Sequence, residues 1–164
     1  MTAVYIALGS NLGDRAANLE AAISALPPAV DVSRRSPVYE TDPEYVTDQP
    51  AFLNMAVCGN TRLEPEHLLQ RLKQIERDLG RVSGRRYGPR LIDIDIIFFG
   101  SRIVDAPGLA IPHPRLGERL FVLKPLADIA AEVAHPATGD TVLHLLERLG
   151  DGTGVKRYSS RTAS

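Results

Sequence analysis

The chain has 164 residues, a formal net charge of −1 and 44% hydrophobic residues. This fits one domain with a core of ordinary size, and excludes a compositionally disordered chain or one whose overall charge marks a nucleic-acid partner. Its single cysteine, Cys58, excludes an intramolecular disulfide and any cysteine-rich zinc centre.

Thr2 to Leu8 reads as a first strand. Gly9 to Asp14 reads as a turn, with Asp14 placed to cap a helix. Leu19, Ala22, Ile23 and Leu26 follow at helical spacing, and Pro27-Pro28 stops that helix. A second strand is expected over Val30 to Tyr39, then a long exposed loop from Thr41 to Pro50, of the kind that carries function. Phe52 to Thr61 reads as a third strand, with Phe52, Asn54 and Ala56 on one face and Leu53, Met55 and Val57 on the other. Cys58, within it, reads as core filler rather than a nucleophile. Pro65 opens a second helix that runs to Gly80, with Leu68, Leu69, Leu72, Ile75 and Leu79 as its apolar stripe. Leu91 to Phe99 reads as a fourth strand, central and buried because it is apolar on both sides of its aspartates. The order strand–helix–strand–strand–helix–strand predicts an α+β fold with a ferredoxin-like β-α-β-β-α-β core. After it come short C-terminal pieces: Ile111 to Pro114, Leu120 to Leu126, and helices near Ala127 to Glu132 and Thr141 to Leu149. The Gly-, Ser- and Thr-rich end from Gly150 is expected to be partly disordered. One domain over 1–158 is expected, with a flexible tail at 159–164 and no room for a second fused enzyme. Met1 to Tyr5 lacks a charged, apolar leader, and no apolar run approaches about 18 residues. A cytoplasmic protein without a membrane segment is the expectation.

Asp93 and Asp95 stand two apart in the fourth strand, so both side chains face one way, with roughly 6.6 Å between Cα atoms. Two such charges repel by about 2.5 kcal/mol at an effective dielectric of 20. A bound hard cation reverses that sign, and magnesium commonly takes one or two carboxylates and completes its shell with substrate phosphates. Arg81, Arg85, Arg86 and Arg90 crowd the preceding segment with no acid among them, a phosphate-binding composition. Glu76 falls inside the apolar stripe of its helix: stepping 100° per residue from Leu72, the stripe covers roughly −60° to +60° and Glu76 lies at about +40°. A carboxylate there needs a partner or a ligand. Phe52 and Asn54 offer a ring and an amide on one strand face, which suits a planar heterocycle and equally an ordinary core. His113, between two prolines, could reach a phosphate or simply pack. The segment from Gly9 to Gly13 lacks the spacing and lysine of a Walker loop.

Several segments together resemble the 6-hydroxymethyl-7,8-dihydropterin pyrophosphokinase family of folate synthesis. They are Ala7 to Arg15, Ser36 to Thr41, Gln49 to Asn54, Ile75-Glu76 with Gly80-Arg81, Gly88 to Asp95, and Ile111 to Leu116. The resemblance implies a ferredoxin-like fold and transfer of a pyrophosphoryl group from ATP to the pterin hydroxymethyl oxygen, with AMP leaving. It implies two magnesium ions on Asp93 and Asp95, with Asp95, Arg81 and Arg90 catalytic. It implies a pterin subsite of Thr41, Pro43, Phe52, Asn54, Phe121 and Tyr87, and ATP contacts from Leu69, Glu76, Arg81, Arg90, Ile96, His113 and Arg119. Its partners would be these two substrates, with no nucleic acid and no membrane, and the chain a monomer. Tyr87 stands where the family commonly has tryptophan, Gly117 where it often has histidine, and Gly108 and Ala110 offer no side-chain donors to a nucleotide. Two rival readings of the bare residues are another metal-dependent phosphotransferase or nuclease, and a non-catalytic nucleotide- or RNA-binding module.

Overall fold

A computed structural model of the chain describes residues 1–41, 51–80, 91–150 and 154–159. Its elements are β1 (Thr2–Ser10), α1 (Arg15–Ala25), β2 (Asp31–Arg35), β3 (Tyr39–Thr41), β4 (Phe52–Thr61), α2 (Pro65–Leu79), β5 (Asp93–Phe99), β6 (Val104–Ala106), β7 (Leu109–Ile111), α3 (Leu120–Ala130), α4 (Val142–Leu149) and β8 (Val155–Arg157). A 3₁₀ turn covers Leu116–Glu118. The main sheet runs β5-β1-β4-β3-β8, with β2 also paired to β4, and its pairings are all antiparallel. This is the expected ferredoxin-like core with additional C-terminal strands and helices.

Alternation along the strands divides the interior in two. Val4, Ile6, Leu8, Leu53, Met55, Val57, Ile94 and Ile96 pack against Leu19 and Ala22 of α1 and Leu68, Leu72 and Ile75 of α2. On the reverse face, Ala56, Cys58, Ile97 and Phe98 pack against Val122, Leu123, Leu126 and Ile129 of α3 and Val142 and Leu145 of α4. Asp14 caps α1 as expected, its carboxylate accepting from the Ala17 N–H at 3.1 Å.

Several expectations are corrected. β1 extends through Gly9 and Ser10, so Gly9 is part of the ladder and not of the turn. The second expected strand is two strands. At the break, Ser36 donates its N–H to the Ala56 carbonyl at 2.8 Å and its Oγ accepts from the Ala56 N–H at 2.9 Å. A side chain there does what the backbone does elsewhere, beside a proline that has no N–H. Among the described residues β5 ends the sheet and is not central; it is apolar on both faces because a helical layer covers each. The expected pieces around Leu120 and Ala127 are one helix that carries Pro125 inside it. Val122, Leu123, Leu126, Ile129 and Ala130 form a continuous buried stripe, and its burial offsets the hydrogen bond that Pro125 cannot make. Within the C-terminal end, Val155–Arg157 form a strand not expected from the sequence, β8, which pairs with β3.

Where β2 crosses β4, the chains approach so closely that a Cβ on Gly59 would lie 2.2 Å from the Asp31 carbonyl oxygen. Gly59→Ala is therefore expected to destabilise the protein by about 2 kcal/mol or more, as overpacking against backbone does. Denaturant unfolding measures this, and an unchanged midpoint would contradict the packing described.

Candidate active site

Asp93 and Asp95 point away from the α1–α2 layer, because Ile94 between them is fully buried in it. Register places Gly9 of β1 between Asp93 of β5 and Asn54 of β4, and Tyr39 of β3 beyond Asn54. Four strands thus present one cross-strand row. The next row holds Asp95, Ala7 and Ala56, all small except the acid. A Cβ on Gly9 would come within 3.0 Å of Asn54 Oδ1 and 3.6 Å of the Phe52 ring. The missing side chain lets Asn54 and Phe52 lean over Gly9 and leaves a trough between the carboxylates and the amide, whose strands stand roughly two strand spacings or 9.6 Å apart.

On one side of the trough, Asn54 Nδ2 donates to Thr41 Oγ1 at 2.8 Å, and Thr41 is the ladder partner of Phe52. This bond fixes the amide and leaves its Oδ1 facing the Gly9 gap. The reverse-face helix α3 brings Phe121 and Arg119 to the same region, the guanidinium carbon 5.6 Å from the ring centroid. Behind Asn54, the Tyr39 hydroxyl donates to Asp128 Oδ2 at 2.6 Å. Burial and this anionic partner push the Tyr39 phenol up to about 12.

The other side is electrostatic. Burial, then repulsion from Asp93, raise the pKa of Asp95 against the opposing pull of Lys73, His113 and Arg119. Glu76 accepts from the Ile94 N–H at 2.7 Å and from Lys73 Nζ at 3.2 Å. Burial raises its pKa nonetheless, with the Ile94 hydrogen bond and Lys73 opposing and Asp93 adding to the rise. Burial and the charge of Arg119 lower the pKa of His113, against Asp95. His113 Nδ1 accepts from the Arg115 N–H at 3.1 Å, so the neutral ring carries its proton on Nε2 and can donate from there.

Of the residues singled out in the sequence, Thr41, Phe52, Asn54, Asp93, Asp95, His113, Arg119 and Phe121 gather at this end of the sheet, with Glu76 at its β5 edge. Leu69 and Ile96 pack in the α1–α2 layer, and Ile96 is 5% exposed. They lie on the far side of the sheet from the carboxylate face. Pro43, Arg81, Tyr87 and Arg90 lie outside the described residues, as does most of the tail at 159–164. Sequence reasoning missed Lys73, although its place three residues before Glu76 puts both on one helix face. It also missed the part played by Gly9.

Among the described residues no three His, Cys, Asp or Glu side chains cluster as a metal cage. The donor set nonetheless fits magnesium, which needs only one or two protein carboxylates beside substrate phosphates. The tension that raises the Asp95 pKa is of the sign that a divalent cation relieves.

The fold and the sequence matches together place the chain in a pyrophosphokinase family of ferredoxin-like α+β architecture. The chain belongs to the 7,8-dihydro-6-hydroxymethylpterin-pyrophosphokinase (HPPK) family, whose model matches residues 5–131. It is 45% identical over 159 residues to the 2-amino-4-hydroxy-6-hydroxymethyldihydropteridine pyrophosphokinase of Methylorubrum extorquens, covering 96% of this chain and 99% of that protein. It is 47% identical over 150 residues to the folic acid synthesis protein fol1 of Pneumocystis carinii, covering 91% of this chain and 20% of that protein. The chain spans only 20–25% of the length of several longer folate-synthesis relatives. The crystal structure of wild-type Plasmodium falciparum HPPK-DHPS aligns with a TM-score of 0.74 at 17% identity, over 90% of this chain and 44% of that one, which establishes the fold. No helix of the described residues is long and apolar enough to cross a membrane.

The Asp95 shift has a consequence for stability. A carboxylate whose folded pKa lies above its unfolded value stabilises the fold below the unfolded pKa, and this is lost as pH rises through the folded pKa. Ionised Asp95 therefore costs stability at neutral pH. Asp95→Asn is expected to raise Tm of the magnesium-free protein by a few degrees at pH 7 and to do so less at pH 4. Calorimetry in chelator measures this, and a lower Tm at pH 7 would contradict the assignment.

Proposed function

We propose that this chain transfers a pyrophosphoryl group from ATP to the hydroxymethyl oxygen of 6-hydroxymethyl-7,8-dihydropterin, with two magnesium ions held by Asp93 and Asp95. The observation that carries this reading is the sheet row in which the Gly9 gap separates an aspartate from a fixed asparagine amide. A pterin placed in that gap would have its polar edge at Asn54 and its hydroxymethyl arm toward the carboxylates, with Phe52 and Phe121 against its faces. Thr41 supports the amide and Pro43 and Tyr87 complete this subsite.

The bound metals would supply charge neutralisation of the triphosphate and acidification of the acceptor hydroxyl. The acceptor oxygen attacks the β-phosphorus, the bond to the α,β-bridging oxygen breaks, AMP leaves, and the hydroxyl proton is lost to solvent. The protein contributes position and electrostatics more than covalent chemistry. His113, through Nε2–H, and Arg119 donate to the nucleotide phosphates, and Arg81 and Arg90 stabilise charge on the transferred group. Glu76 acts from the edge of β5, while Leu69 and Ile96, packed in the α1–α2 layer, take no part in this reading. A single cysteine supports a cytoplasmic location.

Incubation with Mg-ATP is expected to yield AMP only when the hydroxymethyl pterin is present. Asp95→Ala is expected to lower that turnover by about 10³-fold or more, as loss of a group that organises transition-state charge does. ADP in place of AMP would favour another phosphotransferase, and near wild-type turnover in Asp95→Ala would sink the metal assignment.

A further inference from the structure

The family model ends at residue 131, yet the last described strand is built against the acceptor side of the site. β8 pairs antiparallel with β3 in the register Tyr39 with Arg157, Glu40 with Lys156 and Thr41 with Val155. The Tyr158 N–H extends this pairing by donating to the Val38 carbonyl at 2.8 Å. A three-residue β3 paired on one edge only would be a weak support for Thr41; β8 gives it a second ladder.

The Tyr158 ring then packs against the α1–α2 layer, with the Arg15 guanidinium carbon 5.8 Å from its centroid. Arg15, the first residue of α1, donates from Nη1 to Glu40 Oε2 at 2.8 Å and to the Ala51 carbonyl at 2.7 Å. Glu40 immediately precedes Thr41, and Ala51 immediately precedes Phe52. One guanidinium thus ties together the two strand ends that carry Thr41, Phe52 and Asn54, from the face opposite to those side chains. A planar fork stacked on a ring holds such a geometry in a way that a lysine does not.

We propose that β8 and Tyr158 are positioning elements of the acceptor subsite. By holding Arg15 behind the β3–β4 ladder, they set the placing of Thr41 relative to Phe52 and Asn54, and so the affinity for the acceptor. This rests on the acceptor subsite proposed above. Tyr158 touches neither substrate and acts through Arg15.

The test uses the full chain. Binding of 6-hydroxymethylpterin is followed by its fluorescence with magnesium and a non-hydrolysable ATP analogue, beside steady-state KM values for both substrates. Tyr158→Ala is expected to weaken acceptor binding about fivefold, the loss of one cation–π contact, with kcat and the ATP KM changed less than twofold. Tyr158→Phe keeps the ring and is expected to retain wild-type affinity. Arg15→Lys is expected to weaken acceptor binding in the same direction, and the double variant with Tyr158→Ala to lose less than the sum of the two. Unchanged acceptor affinity in Tyr158→Ala, or equal weakening of both substrates, would overturn the inference while an active wild type leaves the functional reading standing. A wild type that neither binds the pterin nor forms AMP would overturn both.

Discussion

Strand β5 has no strand on its outer edge among the described residues, and the Glu76 carboxylate takes that place by accepting from the Ile94 N–H at 2.7 Å. The site depends on this bond. Ile94 is buried against α1 and α2, so fixing its backbone fixes the alternation that turns Asp93 and Asp95 to the opposite face. A register slip of one residue would bury both acids in the α1–α2 layer and expose the isoleucines. The paired Gly9 and the bonded edge leave β5 no such freedom. Glu76 is itself half in the apolar layer, and Lys73 completes its neutralisation at 3.2 Å. The α2 helix thus anchors the strand that carries Asp93 and Asp95 from behind and contributes a cation close to the acids.

Charge at this end of the sheet is arranged in opposition. Beside burial, the charge of Asp93 raises the proton affinity of both Asp95 and Glu76; Lys73 draws both down, and His113 and Arg119 draw down that of Asp95. Half-buried like charges cost stability unless a ligand compensates. The trough made by Gly9, Ala7 and Ala56 leaves space on the same face for substrate. Together these features store unfavourable electrostatics where, in the proposed function, a polyphosphate and its cations would relieve it. The aromatic and amide groups across the trough carry no such charge, which separates the two halves of the site by chemistry as well as by distance.

Much of this was legible in the sequence, for reasons that can be named. Periodicity alone gave β4 its observed bounds and both faces, since nothing interrupts the alternation from Phe52 to Thr61. The apolar stripe gave α2, and the i, i+2 spacing put both aspartates on one face. The position of Glu76 within the stripe announced a buried carboxylate. Its partner could not be read, because that partner is a backbone N–H brought in from eighteen residues away by tertiary packing. The edge position of β5 was hidden because two helical layers give the same composition as two neighbouring strands. The break between β2 and β3 depends on one serine hydroxyl standing in for backbone. β8 is three residues in a Gly- and Ser-rich stretch, and only its long-range pairing with β3 makes it a strand. A helix through Pro125 runs against local preference, and the buried stripe that overrides it is visible only when α3 is seen against the sheet.

In the proposed function one sheet face carries the metals that join the two substrates. Electron paramagnetic resonance of bound Mn²⁺, with a non-hydrolysable ATP analogue and the hydroxymethyl pterin present, tests it most directly. Two manganese ions per chain are expected in the wild type, magnetically coupled as ions about 3.5–4 Å apart are, with the coupled pair lost in both Asp93→Asn and Asp95→Asn. The same coupled pair in Asp95→Asn as in the wild type would contradict the account.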